Sequence, residues 1–303
     1  LSDHRTASEQ RTARIDDSRD GTAAGPAPGP APNHLGRAPG TPAGVARSAP
    51  ATEPAVAVEA GTIWRLRSRG CWEAAAALLE ARAAHSPDAA LTRAELLIER
   101  TLFEGDGWGT AESALRLAEA GARTDVERAA AACARGYLAY CATLLREHDR
   151  LDEAQAALGR ASALLPPDAA GRPLLDFRRG LVAENLLGDP AAARSAYRRA
   201  HAGAEQQQDN LLLSYTWRHL ASIAQQDGNL AGARHGFAES LRLREQTGFA
   251  VGIAPALASL AEVSPAPEAV LLRAQASRLV RAFGNVPVWL ADGQPADRTA
   301  GRS

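Results

Sequence analysis

The side chains able to do chemistry in this chain are few in kind. All 34 basic residues are Arg, and Lys is absent. That removes Schiff-base catalysis and the P-loop lysine that reaches β/γ-phosphates. The segment Gly105-Asp106-Gly107-Trp108-Gly109 has the glycines of a phosphate-cradling loop, but a dinucleotide site needs a preceding strand and the fuller G-x-G-x-x-G spacing. Here the loop follows the helical stretch 91–103 and reads as a turn between helices. The seven histidines form no HExxH or Ser/His/Asp spacing, and neither CxxC nor GxSxG occurs. His148 beside Asp149 and His219 beside Arg218 stand out among them, and His148 suits the last turn of a helix, where the macrodipole favours a cation. Cys71, Cys133 and Cys141 have no metal-ligand spacing. Cys133 and Cys141 would stand ~12 Å apart along a helix, too far for a disulfide. All three read as buried, reduced thiols of a cytosolic protein. The expectation is a protein without catalytic residues, metal or cofactor.

Composition bounds the partners as well. The 46% apolar content suffices for a substantial core. The formal net charge of -1 gives no general pull toward nucleic acid or an anionic membrane. No run of 18 apolar residues marks a membrane span, and the first 30 residues lack the apolar core of a secretory signal, so a cytoplasmic location is expected. Met is absent, and the chain reads Leu1. A high-GC bacterial gene with a CTG or TTG start is the expected origin, and a true start at a downstream Val codon such as Val45 or Val56 would remove most of the Pro/Gly-rich N-terminal stretch.

The elements that position these residues follow from punctuation and period. Residues 21–54 hold eight prolines and six glycines with almost no large apolar side chain. Such a segment cannot offset its ordering entropy, so residues 1–54 are expected to be a disordered leader. From about Val56 onward Ala, Leu and Arg dominate, and Gly or Pro recurs between helix-length segments. Small residues recur at Ala75, Ala114, Ala154, Ala193 and Ala233, at spacings of 39, 40, 39 and 40. One turn further on, on the same face, lie Leu79, Ala118, Leu158, Tyr197 and Phe237. A period near 40 with two helices per unit predicts an all-α, right-handed superhelical solenoid of six hairpins over 55–284. Their helices are expected near 56–69/71–84, 88–104/108–121, 124–147/150–165, 172–187/190–207, 209–227/230–247 and 250–262/267–283. The sixth unit should present a polar outer face as a terminal cap. The tail 285–303, with Val286-Pro287-Val288-Trp289-Leu290, is expected either to fold back over it or to serve as a partner-binding peptide.

The fifth hairpin resembles the tetratricopeptide repeat. Trp217, Leu220, Ala221, Gly228, Ala233, Phe237 and Leu241 fall where that family has its Trp, Leu, small residue, turn Gly, packing Ala, aromatic and closing apolar position. The fourth follows with Phe177, Leu181, Gly188, Ala193, Tyr197 and Ala200, and the third with Leu138, Ala142, Ala154 and Ala161. The first two are matched mainly by their second helices. Repeats near 40, longer than the family's usual length of about 34, are similar to the helical C-terminal modules of large bacterial ATP-dependent transcription regulators. With no P-loop, and no helix-turn-helix output domain expected beside the repeats, a regulatory role would act through another protein.

In that family the first helix of each hairpin lines a concave groove. The resemblance places Leu175, Arg178, Val182 and Asn185 of the fourth hairpin there, with Tyr215, Arg218, Ser222 and Gln225 of the fifth. Arg178 and Arg218 occupy equivalent positions and are expected about 10 Å apart, one helix-packing step, flanked by Arg179 and His219. Paired guanidinium groups near amides suit a carboxylate, a phosphate or an acidic peptide. The resemblance therefore implies a non-catalytic scaffold that holds a protein or acidic peptide in its groove. Its contact set would be Arg178, Asn185, Tyr215, Arg218, His219 and Gln225. A regulatory module sensing an anionic small molecule is the alternative. Both compete with simple solvated arginines paired to acids such as Asp176 or Glu184.

Overall fold

The structure, a computed structural model, describes residues 53–283. The expected leader 1–54 lies outside them apart from Glu53 and Pro54, and the tail 285–303 lies outside them entirely. Among the described residues the fold is all-α, thirteen helices without a strand. They are α1 (Glu53–Arg67), α2 (Trp72–Ala77), α3 (Glu80–Ala83), α4 (Pro87–Glu104), α5 (Trp108–Gly121), α6 (Asp125–Leu144), α7 (Leu151–Leu164), α8 (Arg172–Asn185), α9 (Pro190–Gln207), α10 (Asn210–Gln226), α11 (Leu230–Thr247), α12 (Ala250–Glu262) and α13 (Ala266–Phe283). Among these residues no helix is long and apolar enough to cross a membrane.

Local chemistry sets most of the boundaries. Ser86 caps α4 by accepting from the Ala89 amide, with Pro87 in the first turn. Thr124 and Glu127 close a reciprocal capping box on α6. Asp189, Asp209 and Asn229 each accept from the backbone amide three residues on, starting α9, α10 and α11. Such caps satisfy amides that the helix leaves unpaired. At the other end of α4, Gly105 turns the chain at φ 71°, a conformation in which any Cβ is strained. The helix expected over 71–84 is instead two pieces. The backbone tightens at Leu79, whose amide bonds to the Ala76 carbonyl at 3.1 Å, an i→i+3 pattern that interrupts α-helical winding. Cys71, expected to be buried, is exposed, because it precedes the first residue of α2 rather than lying within its packed face.

Packing follows the small-residue ladder. Ala75, Ala114, Ala154, Ala193 and Ala233 are all buried, as are the five residues one turn after them. These positions let α4 pack on α5, α6 on α7, α8 on α9 and α10 on α11. α8 and α9 approach closely where a Cβ at Gly180 would stand 2.5 Å from the Tyr197 ring. Each pair also touches the next, α5 on α6, α7 on α8, α9 on α10 and α11 on α12. Three contacts span far more of the chain. The Val251 amide bonds to the Ser68 carbonyl at 3.0 Å, Trp64 Nε1 donates to the Thr247 carbonyl at 3.2 Å, and the Trp64 and Phe249 rings stack at 6.1 Å. The end of α1 is therefore held against the junction of α11 and α12, and one core cluster runs from Trp72 to Val251. The outer face of α13 is less polar than expected, since Val270 and Leu271 are exposed there.

Candidate functional site

Two of the five buried charged side chains among the described residues, Glu99 on α4 and Arg178 on α8, tie α1, α4, α6 and α8 together. Arg178 on α8 is buried. Its Nη2 donates to Glu95 Oε1 on α4 at 2.9 Å, its Nη1 meets Cys133 Sγ on α6 at 3.4 Å, and its guanidinium lies 4.6 Å from the Tyr137 ring centre. Burial opposes this cation, but Cys133 and Glu95 outweigh it and hold it charged. Burial in turn pushes the Cys133 thiol above its ordinary value. Arg178 is thus an internal tie between α4, α6 and α8, where an open groove would have left it to solvent. Leu175 and Val182, expected in the same groove, are buried in the core.

Asn185 donates to Tyr140 Oη on α6 at 3.0 Å and to the Leu181 carbonyl at 3.2 Å. Tyr215 on α10 is held by rings, with Phe177 at 5.8 Å and Phe249 at 6.0 Å. His219 Nδ1 and Tyr197 Oη converge on Glu184 Oε2, at 2.7 Å and 2.6 Å, and the Tyr197 and His219 rings stack at 4.8 Å. Burial drives the His219 imidazole below its ordinary range in spite of Glu184. Burial would raise Glu184, but His219, Tyr197 and Arg218 hold it below the usual carboxylate range. Gln225 is half-buried at the end of α10, and its carbonyl accepts the Gly228 amide at 3.0 Å in the turn.

Arg218 differs from these residues. It is half-buried and near enough to Tyr140, Glu184 and Tyr197 to influence each, yet it makes no hydrogen bond or ion pair among the described residues. Glu184, one of the two acids expected to pair with these arginines, is occupied by His219 and Tyr197. The structure thus brings Arg218 and His219 together with Tyr215 on α10, and separates them in role from Arg178 and Asn185.

Two features escaped the sequence. Arg67 on α1 grips Glu99 on α4 with Nε at 2.7 Å from Oε2. Arg244 on α11 is buried, with its guanidinium 5.5 Å from the Tyr215 ring centre and Nη1 donating to the Gly252 carbonyl at 2.6 Å. A signal for Arg244 did exist. It lies one and two helical turns after Ser240 and Phe237 on the buried face of α11, with no acid three or four residues away on either side.

No protein-family model matches the chain. No curated protein matches it either. Elsewhere on the surface, an open cleft of about 680 Å³ lies between α9 and the end of α10, lined by Arg194, Ser195, Arg198, Arg199, Gln226 and Asp227. Arg194 pairs there with Asp227 at 2.5 Å, whereas Arg198 is exposed and makes no ion pair among the described residues. No group of three or more His, Cys, Asp or Glu side chains among the described residues is placed to hold a metal ion.

Proposed function

We propose that this chain is a recognition module without catalytic residues, a right-handed superhelical stack of six tetratricopeptide-like hairpins that binds an acidic group on a protein partner. The hairpins are α1 with α2–α3, and then α4/α5, α6/α7, α8/α9, α10/α11 and α12/α13. Support for the repeat reading comes from helix pairs recurring at 39–40 residues and from the buried alanine at the equivalent position of the first five. The observation that carries the binding reading is Arg218. It is a half-buried cation with no hydrogen bond or ion pair among the described residues, set among side chains whose own polar groups are already engaged. Such a cation gains most from a carboxylate or phosphate brought by a ligand. A cytoplasmic protein acting through its partners fits this reading. The bonded state of His219, Glu184 and Tyr197 supports a role as scaffold for Arg218 over one as acid and base.

A second reading, the sensing of an anionic small molecule, is favoured by one observation. The pairs Arg67–Glu99, Arg178–Glu95 and Asn185–Tyr140 tie the inner helices to each other and leave less of that face to a long peptide. The test of the leading reading uses the full chain as bait, wild type beside Arg218→Ala, with quantified recovery of bound proteins. Selective loss of an acidic partner from the variant is expected. Equal recovery by both baits would remove Arg218 from recognition.

A further inference from the structure

A small cleft of about 60 Å³ lies where α4, α6 and the start of α8 meet, room for roughly four to six water-sized groups. Ala130, Leu165 and Leu174 give it apolar walls, and Val126, which also lines it, is 59% exposed. Its polar lining comes from Glu95, Cys133 and Arg178. Arg178 is only 6% exposed. Its guanidinium has five N–H donors and makes two hydrogen bonds among the described residues, to Glu95 at 2.9 Å and to the Cys133 thiol at 3.4 Å. Sulfur is a weak acceptor. A cation buried to this degree gains from an acceptor oxygen that reaches it, and the cleft is space beside it that such an oxygen can enter.

We propose that this cleft binds a small neutral molecule with a carbonyl oxygen and a branched aliphatic body of about three or four carbons. The body lies against Leu165 and Leu174, and the oxygen accepts from Arg178 in place of the Cys133 thiol. Charge decides the class. Glu95 already supplies the charge opposite Arg178, so a carboxylate in the cleft would meet Glu95 as a like charge at short range. An ammonium would meet Arg178 in the same way. A carbonyl oxygen takes the donor without either repulsion, and the apolar walls take the body out of water. Arg218 does not line this cleft, so the inference goes beyond the recognition reading and stands apart from it.

The test follows the Val and Leu methyl signals of the full chain by NMR during titration with isobutyramide and, separately at the same ionic strength, with isobutyrate. Isobutyramide should shift the Val126, Leu165 and Leu174 methyls saturably. Isobutyrate, the same skeleton with a charge, should bind at least about tenfold more weakly. Val270 and Leu271, exposed on α13, should not respond to either. Ala130→Leu fills the cleft and should abolish the shifts at Leu165 and Leu174, with a melting temperature close to wild type. Should that variant misfold, Cys133→Ser decides, because its hydroxyl is a stronger acceptor for Arg178 and should weaken isobutyramide roughly threefold to tenfold. No saturable shift in wild type, equal shifts at Val270 and Leu271, or unchanged binding in either folded variant would overturn the site. Isobutyrate binding as tightly as isobutyramide would overturn the neutral class.

Discussion

Arg178 lies where α4, α6 and α8 meet, and its removal strands Glu95 and opens space beside Tyr137. Breaking a buried pair costs about 3–5 kcal/mol. Glu95 keeps 36% of its side chain exposed, so Arg178→Ala should cost less, roughly 2–3 kcal/mol, read as a lower urea midpoint. A midpoint within error of wild type would mean that the tie contributes nothing to folding. His219 supplies a pH dependence. Burial holds its folded pKa below the ordinary 6.5, and His201 is depressed by burial as well. Once the pH falls through 6.5, the unfolded chain takes up protons that the folded one does not, so stability declines from there downward. Glu184, also depressed, adds a second loss at lower pH, as the pH falls through its own folded value. The melting temperature should therefore drop between about pH 7 and pH 5.5, and His219→Gln should flatten part of that drop. An unchanged slope would show that His219 titrates alike in the folded and unfolded chain.

At the scale of elements, α1 and α11 make separable predictions. Trp64 ties α1 to Thr247 and Phe249. Trp64→Ala should accelerate hydrogen exchange at the Val251 amide, whose acceptor is Ser68, while leaving the α6–α7 amides protected. Loss of protection throughout would show that α1 supports the whole stack. Phe237 packs in its own cluster with Ala221, Ala233 and Leu260, so Phe237→Ala should cost about 3–5 kcal/mol, with the fastest added exchange in α10 to α12. Helices were readable from sequence because their signals are local. The bounds of α5, α9, α11 and α12 follow from glycines, caps and a 40-residue ladder of alanines. The break at Leu79 was not readable, since nothing in the Ala-rich run 74–77 marks it. Partners were harder still. Arg178 finds Glu95 at a separation of 83 residues and Trp64 finds Thr247 at 183. Such pairings depend on how successive helices pack against each other, which no local pattern encodes. That is why Arg178 read as a groove residue and is instead an internal tie, whereas Arg218 is half-buried and makes no hydrogen bond or ion pair among the described residues.

For the whole molecule, the proposal reduces to one asymmetry. Cations are abundant on both the inner helices and the outer cleft, but their surroundings differ. Arg218 is half-buried on α10, where an ion pair is screened less by salt than in open solvent, whereas Arg198 is exposed. Recognition of an acidic group should therefore be concentrated at Arg218. The most direct measurement is the affinity of the captured partner for three versions of the full chain, wild type, Arg218→Ala and Arg198→Ala, at matched ionic strength. Loss of one charge-assisted contact predicts a weakening of roughly tenfold to a hundredfold for Arg218→Ala, with Arg198→Ala close to wild type. The reverse order, with Arg198→Ala weakened and Arg218→Ala unchanged, would place binding in the outer cleft and contradict an inner-face recognition site.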